Sequence, residues 1–316
     1  MNLKAFLKFV EIQTKLASVL PFLLGIIFSF YRYGEIKVFN IIFMFVSLLF
    51  FDMTTTSVNN YIDYKKAVKK DGYNYENHNA IVKYNLTRNQ ALITIFVLLS
   101  VAVLSGVILF LMTDWFVLLI GIISFTVGIA YSWGPIPISR MPLGEFFSGM
   151  FMGFVIFLLS VYINIHHLGF ISLNINGFDL SLFINMKEFL IMFFVSFPMV
   201  ITIGNIMLAN NICDLQDDII NKRYTLPYYI GQENAVKLFK LSYFLIYINI
   251  IVLVVLNILP LISLVLLISI VPIIKNIKQF EKIQSKKDTF VFSVKNHFII
   301  SFLMIVGVLI SSIFNL

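Results

Sequence analysis

Residues 189–214 read FLIMFFVSFPMVITIGNIMLANNICD, an uncharged run from Phe189 to Leu208 that closes on Asn210-Asn211-Ile212-Cys213-Asp214. A helix needs ~20 mostly apolar residues to cross a bilayer, and this run is long enough. Pro198 inside it is read as a kink. The same ending occurs earlier, where the apolar stretch Ile41 to Met53 leads into Asn59-Asn60-Tyr61-Ile62-Asp63, 151 residues before its counterpart. Asn and Asp at the end of a hydrophobic helix are costly near lipid unless they bind something. Two such groups, placed alike in two halves, suggest one site built from both halves.

The surrounding chain carries the same signal throughout. Of 316 residues 59% are hydrophobic and 12% charged, with a mean hydropathy of +0.93, far from a soluble domain. The expectation is an all-α polytopic membrane protein, a single domain over 1–316. Its spans run roughly Leu16–Phe30, Phe39–Tyr61, Ala91–Met112, Trp115–Trp133, Gly144–Ile165, Phe189–Asn210, Leu238–Leu259, Pro260–Ile274 and Phe298–Phe314. The first and eighth are short. The first follows Lys4 and Lys8 like the apolar stretch of a signal peptide, but no small-x-small cleavage site stands out, and it is read as retained. Two polar stretches, about 59–90 and 210–236, are read as the motif loops.

Positive charge orients this arrangement. With the N-terminus cytoplasmic, all but three of the 23 Lys and Arg fall on the cytoplasmic side, the exceptions being Arg32, Lys37 and Lys187. By the positive-inside rule both motifs face the cytoplasm and the C-terminus lies outside, in the cell membrane. The net charge of +7 follows from this asymmetry and gives no reason to expect nucleic acid. One cysteine, Cys213, excludes a disulfide framework and reads as a small filler. His166 and His167 are adjacent, His78 and His297 isolated; all four read as surface or interfacial residues, not metal ligands. No P-loop, dinucleotide fingerprint or Ser-His-Asp arrangement is present.

Asp214 is followed by Asp217 and Asp218, and the i, i+4 spacing of Asp214 and Asp218 places both on one helix face. In the first half the position equivalent to Asp218 is Ala67, with Asp71 nearby in a lysine-rich stretch. Carboxylates beside lysines and an arginine suit Mg²⁺ bridging to a diphosphate, since Mg²⁺ takes a few carboxylates together with waters and phosphate oxygens. Lysines and Arg223 would hold the remaining phosphate charge. A solvated loop explains Asp71 and Glu76 equally well. It explains Asn59, Asp63, Asn210, Asp214 and Asp218 poorly, because these stand at helix ends against the membrane.

Three segments resemble the UbiA superfamily of intramembrane aromatic prenyltransferases, and within it the 1,4-dihydroxy-2-naphthoate polyprenyltransferases of menaquinone biosynthesis. They are Asn59-Asn60-Tyr61-Ile62-Asp63-Tyr64-Lys65-Lys66; Tyr131-Ser132-Trp133-Gly134-Pro135-Ile136-Pro137 continuing to Pro142-Leu143-Gly144-Glu145; and Asn210 to Asp218 continuing to Arg223, Thr225-Leu226 and Gly231. Their order and spacing fit nearly the whole chain. It departs from the family pattern at Asn60, where an acid is usual, and at Ala67 and Lys69, where Gly and Asp are usual, with Asp71 displaced by two. Arg140 replaces a common aromatic.

The resemblance implies that Asp63, Asp214 and Asp218, assisted by Asn59 and Asn210, hold Mg²⁺ against the leaving diphosphate of a polyprenyl donor. Lys66 and Arg223 would add electrostatic support. Tyr61 or Tyr131 would face the allylic cation, and Arg140 could touch an acidic acceptor or simply mark the cytoplasmic loop. The aromatic acceptor would be attacked at its carboxyl-bearing carbon with loss of CO₂. Other acceptors, namely 4-hydroxybenzoate, a haem or a lipid alcohol, stay open, as does a transporter of an anionic substrate. The Gly134-Pro135-x-Pro137 segment favours naphthoate, and polar groups at one membrane face speak against transport.

Overall fold

The computed structural model describes residues 1–66, 79–135 and 137–314. In chain order its helices begin with α1 (Leu3–Phe9), α2 (Leu16–Tyr33), α3 (Val38–Lys66), α4 (Ala80–Lys83), α5 (Arg88–Met112), α6 (Trp115–Ser132), α7 (Gly144–Ser148) and α8 (Ile156–Ile165). A hairpin of β1 (Ile171–Asn176) and β2 (Asp179–Ile184) follows. Then come α9 (Met186–Cys213), α10 (Leu215–Ile220), α11 (Leu226–Ile230), α12 (Gln232–Val255), α13 (Ile270–Lys282) and α14 (Val291–Phe314).

Among the described residues nine helical stretches are long and apolar enough to cross a membrane. The two expected to be short are completed by tight turns. The 3₁₀ segment Ile12–Lys15 extends the first to Ile12–Tyr33, and Leu261–Ser269 runs on into α13, so the eighth is Leu261–Lys282. Only 11% of the Trp115–Ser132 span is buried by the rest of the chain, which leaves an apolar helix needing lipid around it. The chain is a multi-pass membrane protein. The hairpin adds to the helical expectation. Residues 171–176 alternate apolar and polar with the period of a strand, the pairing runs from Ile171↔Ile184 to Asn176↔Asp179, and Gly177 takes the turn at φ 64.

The chain forms two compact units. The first comprises Met1–Val19 and Val38–Pro137. Its long contact is α3 against α5, where Ser47 donates its hydroxyl to the carbonyl of Ala102 (2.9 Å). Below α1, Ala5, Phe9, Ala80, Ile81, Leu86 and Ala91 bury together with Tyr61, Tyr84 and Ile95 packed on them. Thr87 and Gln90 form a capping box that starts α5, and Asp114 caps α6 after a two-residue turn.

The second unit comprises Leu20–Lys37 and Ile138–Leu316. Here α9 is central, touching α7, the π-helical stretch Gly149–Val155, α12 and α14. Backbones come close where Gly153 meets α9: a Cβ there would lie 2.6 Å from the Val200 amide nitrogen and Cα. Small residues at such crossings let membrane helices pack, and polar side chains tie them. Thr202 and His297 lie 2.8 Å apart, Asn205 donates to Ser242 (2.7 Å), and Asn276 donates to Asn296 (2.7 Å). His297 is therefore buried inside this unit, not at the surface as expected. At the other end of α9, Arg32 grips Glu188 with two hydrogen bonds (3.0 and 2.8 Å), and the Tyr33 hydroxyl adds a third (2.6 Å).

Candidate active site

The second motif is built where α9 stops. Asp214 ends the helix at φ −94, ψ 3, and its amide donates to the Asn210 carbonyl (3.0 Å). Asn210 Nδ2 donates to Asp214 Oδ2 (3.2 Å), so the i, i+4 pair faces one way as a two-oxygen claw. Into this claw reaches Lys286, from the turn between α13 and α14. Its ammonium donates to Asp214 Oδ2 (2.5 Å) and to Asn210 Oδ1.

The helix breaks at Asp214, so the i, i+4 pair of Asp214 and Asp218 straddles the junction of α9 and α10. The Asp218 amide still donates to the Asp214 carbonyl (2.8 Å), but the Asp218 side chain is far more buried than that of Asp214. Asp218 turns inward and is 3% exposed, with Arg223 Nε 3.3 Å from its Oδ1 and no hydrogen-bond partner on Oδ2. Burial pushes its carboxyl up to about 6, the Arg223 charge working against that rise and Asp214 adding to it. Lys222, at φ 55, turns the chain so that the Arg223 amide closes on the Asp218 carbonyl (2.8 Å).

The middle segment packs onto this loop. Arg223 Nη2 donates to the Ser139 carbonyl (3.4 Å), and the Tyr224 amide donates to the Arg140 carbonyl (3.2 Å). Arg140 thus meets the second motif through its backbone. Glu145 Oε1 accepts from Asn211 Nδ2 (2.8 Å), and Asn211 is fully buried. The second Asn of the motif is a tether to Glu145, which leaves Asn210 as the outward one.

The first motif, in the first unit, lies on the last turns of α3 and not in a loop. Asn59 and Asp63 are exposed and one turn apart. Asn60, where the family has an acid, is buried: its Nδ2 donates to the Phe9 carbonyl (3.0 Å), and its own carbonyl accepts from Asn79 (2.9 Å). It fastens α3 to α1 and α4 and takes no part in an outward acid set. Tyr61 packs on the α1–α4 cluster and lines a cavity of about 480 Å³ with Val58, Ile62, Lys65, Leu99 and Trp133. Tyr131 is half-buried in the last turn of α6, and Lys66 ends α3. Ala67, Lys69, Asp71, Glu76 and His78 lie outside the described residues.

Another α3 contact escaped sequence reasoning. Lys15, counted there as a flanking charge, is 3% exposed and donates to Asp52 Oδ1 (2.6 Å), the Asp52 carbonyl (3.1 Å) and Thr56 Oγ1 (2.6 Å). Ser18 donates to Asp52 Oδ2 (2.6 Å). Asp52, an acid inside the apolar run Ile41 to Met53, was the available signal; Lys15, just before Leu16, gave none. Lys286 offered none, being one lysine among many.

Among the described residues no three His, Cys, Asp or Glu side chains form a ready-made metal cluster. The donor set nonetheless fits Mg²⁺, which needs only one or two carboxylates and completes its shell with water and phosphate oxygens. The outward claw of Asn210 and Asp214 already holds a cation, and the buried Asp218 Oδ2 has no hydrogen-bond partner.

The UbiA prenyltransferase family model matches residues 18–306. The 1,4-dihydroxy-2-naphthoate octaprenyltransferase of Bacillus subtilis (strain 168) is 30% identical over 239 residues, covering 76% of this chain and 70% of that protein. A UbiA homolog from Archaeoglobus fulgidus bound to Cd²⁺ superposes with a TM-score of 0.65 at 13% identity, over 97% of this chain and 98% of the other. The A. fulgidus homolog bound to GPP and Mg²⁺ does so at 0.58 and 14%, over 96% and 99%. At such identities the structures establish the fold, and the family match adds the activity class. The chain belongs to the UbiA prenyltransferase family.

Proposed function

We propose that the chain transfers a polyprenyl group from polyprenyl diphosphate to 1,4-dihydroxy-2-naphthoate, releasing diphosphate and CO₂ and giving demethylmenaquinol. The observation that carries the acceptor is the 30% identity to the B. subtilis naphthoate enzyme; the Gly134-Pro135-x-Pro137 segment agrees with it. In the reaction the bond between the allylic carbon and the diphosphate oxygen breaks. A carbon–carbon bond forms at the carboxyl-bearing ring carbon, and the carboxyl leaves as CO₂.

The residues divide this work. Asn210, Asp214 and Asp218 in the second unit, and Asn59 and Asp63 on α3 in the first, would hold Mg²⁺. Mg²⁺, when bound at these motifs, would supply positive charge to the leaving diphosphate. Arg223 keeps Asp218 in place and offers guanidinium protons to phosphate oxygens, and Lys66 takes a parallel role beside the first motif. Tyr61 or Tyr131 gives an electron-rich face to the allylic carbon. The cavity beside Tyr61, apolar along Val58, Ile62, Leu92, Ile95 and Leu99 with Lys65 and Trp133 also in its wall, suits an isoprenoid tail. The charge asymmetry supports a cytoplasmic N-terminus and an external C-terminus, with both motifs cytoplasmic.

Membranes holding the chain, given labelled dihydroxynaphthoate, a polyprenyl diphosphate and Mg²⁺, should yield a product heavier by the prenyl group and lighter by CO₂. Asp214→Ala and Asp218→Ala should abolish it while the protein stays inserted. Turnover of 4-hydroxybenzoate and not of naphthoate would overturn the acceptor assignment. Near-normal turnover by either variant at limiting Mg²⁺ would overturn the site.

A further inference from the structure

Lys286 occupies the position that the reading above gives to a metal. Its ammonium bonds both oxygens of the claw, Asp214 Oδ2 and Asn210 Oδ1, and lies 5.2 Å from the centre of the Phe290 ring. The reach is not casual, because the turn carrying it is hydrogen-bonded shut. The Ser285 amide donates to Thr289 Oγ1 (2.9 Å), Ser285 Oγ donates to Asp288 Oδ2 (2.8 Å), and Thr289 Oγ1 donates to the Ile283 carbonyl (2.8 Å). Thr289 and Phe290 amides both close on the Ser285 carbonyl (3.0 Å each). The backbone of Lys286 is therefore fixed over the end of α9 while its stem remains free to swing.

A divalent ion in the claw and an ammonium 2.5 Å from the same oxygen exclude one another, by contact and by charge. The displaced ammonium stays tethered within a side-chain length of the claw, where the greatest new negative charge is the diphosphate itself. Lysine suits such an exchange: a compact charge with three donors on a flexible stem.

We propose, resting on the Mg²⁺–diphosphate reading above, that Lys286 has two alternating partners. Before substrate arrives it fills the Asn210–Asp214 claw as a resident cation. Once metal enters, it transfers to the phosphate oxygens of the donor and binds the leaving diphosphate. Empty claws are then never left as unpaired acids at the membrane face, and a metal ion without diphosphate is held weakly.

The test measures two quantities that move in opposite directions. Mn²⁺ binding to the purified full chain without diphosphate, followed by electron paramagnetic resonance, should tighten about two- to fivefold in Lys286→Met. That is the size expected from removing a competing, half-exposed ion pair. The same variant should raise KM for prenyl diphosphate roughly tenfold or more, the scale of one lost charge-assisted hydrogen bond, and Lys286→Arg should recover part of it. A purely structural role would weaken both. Unchanged Mn²⁺ affinity, or tighter Mn²⁺ with unchanged KM, would overturn the exchange and leave the site reading standing. No Mn²⁺ binding by the unaltered chain would overturn both.

Discussion

Removing Asp52 should damage this protein far more than removing Asp52 and Lys15 together. Lys15 is 3% exposed and its ammonium donates to three oxygens of α3. Asp52→Ala deletes the only anionic one, leaving the Asp52 carbonyl at 3.1 Å and Thr56 Oγ1 at 2.6 Å, and it strips Ser18 of its carboxylate acceptor. Breaking a buried ion pair from one side costs about 3–5 kcal/mol. The Asp52 side chain is 16% exposed, which places the loss toward the lower end, about 3 kcal/mol. Replacing both partners by apolar residues of similar volume (Lys15→Met with Asp52→Leu) removes the stranded charge and should be neutral or stabilising. Thermal midpoints of the original chain, Lys15→Met, Asp52→Leu and the double variant in one detergent close a double-mutant cycle, with Asp52→Ala measured beside them. A double variant as unstable as Asp52→Ala, or a single variant within about 1 kcal/mol of the original chain, would refute the reasoning. The double variant also shows what the pair is for. Asp52, Thr56, Asn59 and Asp63 recur at i, i+4, i+7 and i+11 on one face of α3, so a stable but inactive double variant would mean that the pair sets how the first motif is presented.

Three further outcomes are expected. Asp63→Asn should lower kcat on the order of 10²–10³-fold, whereas Asp71→Asn, beyond the lysine run, should be mild; equal damage across Mg²⁺ concentrations would give Asp71 the place of the family's displaced acid. The Asp218 carboxyl, pushed up to about 6 by burial, binds its proton more tightly in the folded than in the unfolded chain. Its protonation therefore favours folding below about pH 6, that contribution is lost as pH rises through 6, and a metal must compete with the proton. Metal affinity should fall as pH drops below about 6, approaching tenfold per unit; a flat profile from pH ~5 to ~8 would count against Asp218 as a ligand. Gly153→Ala should destabilise by about 1–3 kcal/mol or more, since its Cβ would meet backbone atoms of Val200 at 2.6 Å, while Gly121→Ala, with nothing within 4 Å, should be neutral or better by thermal midpoint.

The membrane class, the number of spans and the helix ends on which Asn59, Asp63, Asn210 and Asp214 stand are legible in the order of residues. These follow from run length and local polarity, which the bilayer reads one segment at a time. Arg223 and the middle segment were singled out by resemblance to the family's motifs, and the structure brings them into contact. What the order of residues could not decide was which polar groups meet. Asn60 and Asn211 look like site residues beside their neighbours, yet the fold spends them on Phe9 and on Glu145. Lys15 reads as a flank charge and is a buried partner of Asp52. Lys286 is separated by 72 residues from the aspartate it covers. Such pairings depend on how far-separated helices turn and cross, and a charge carries no mark in the sequence of the partner that close packing will bring to it.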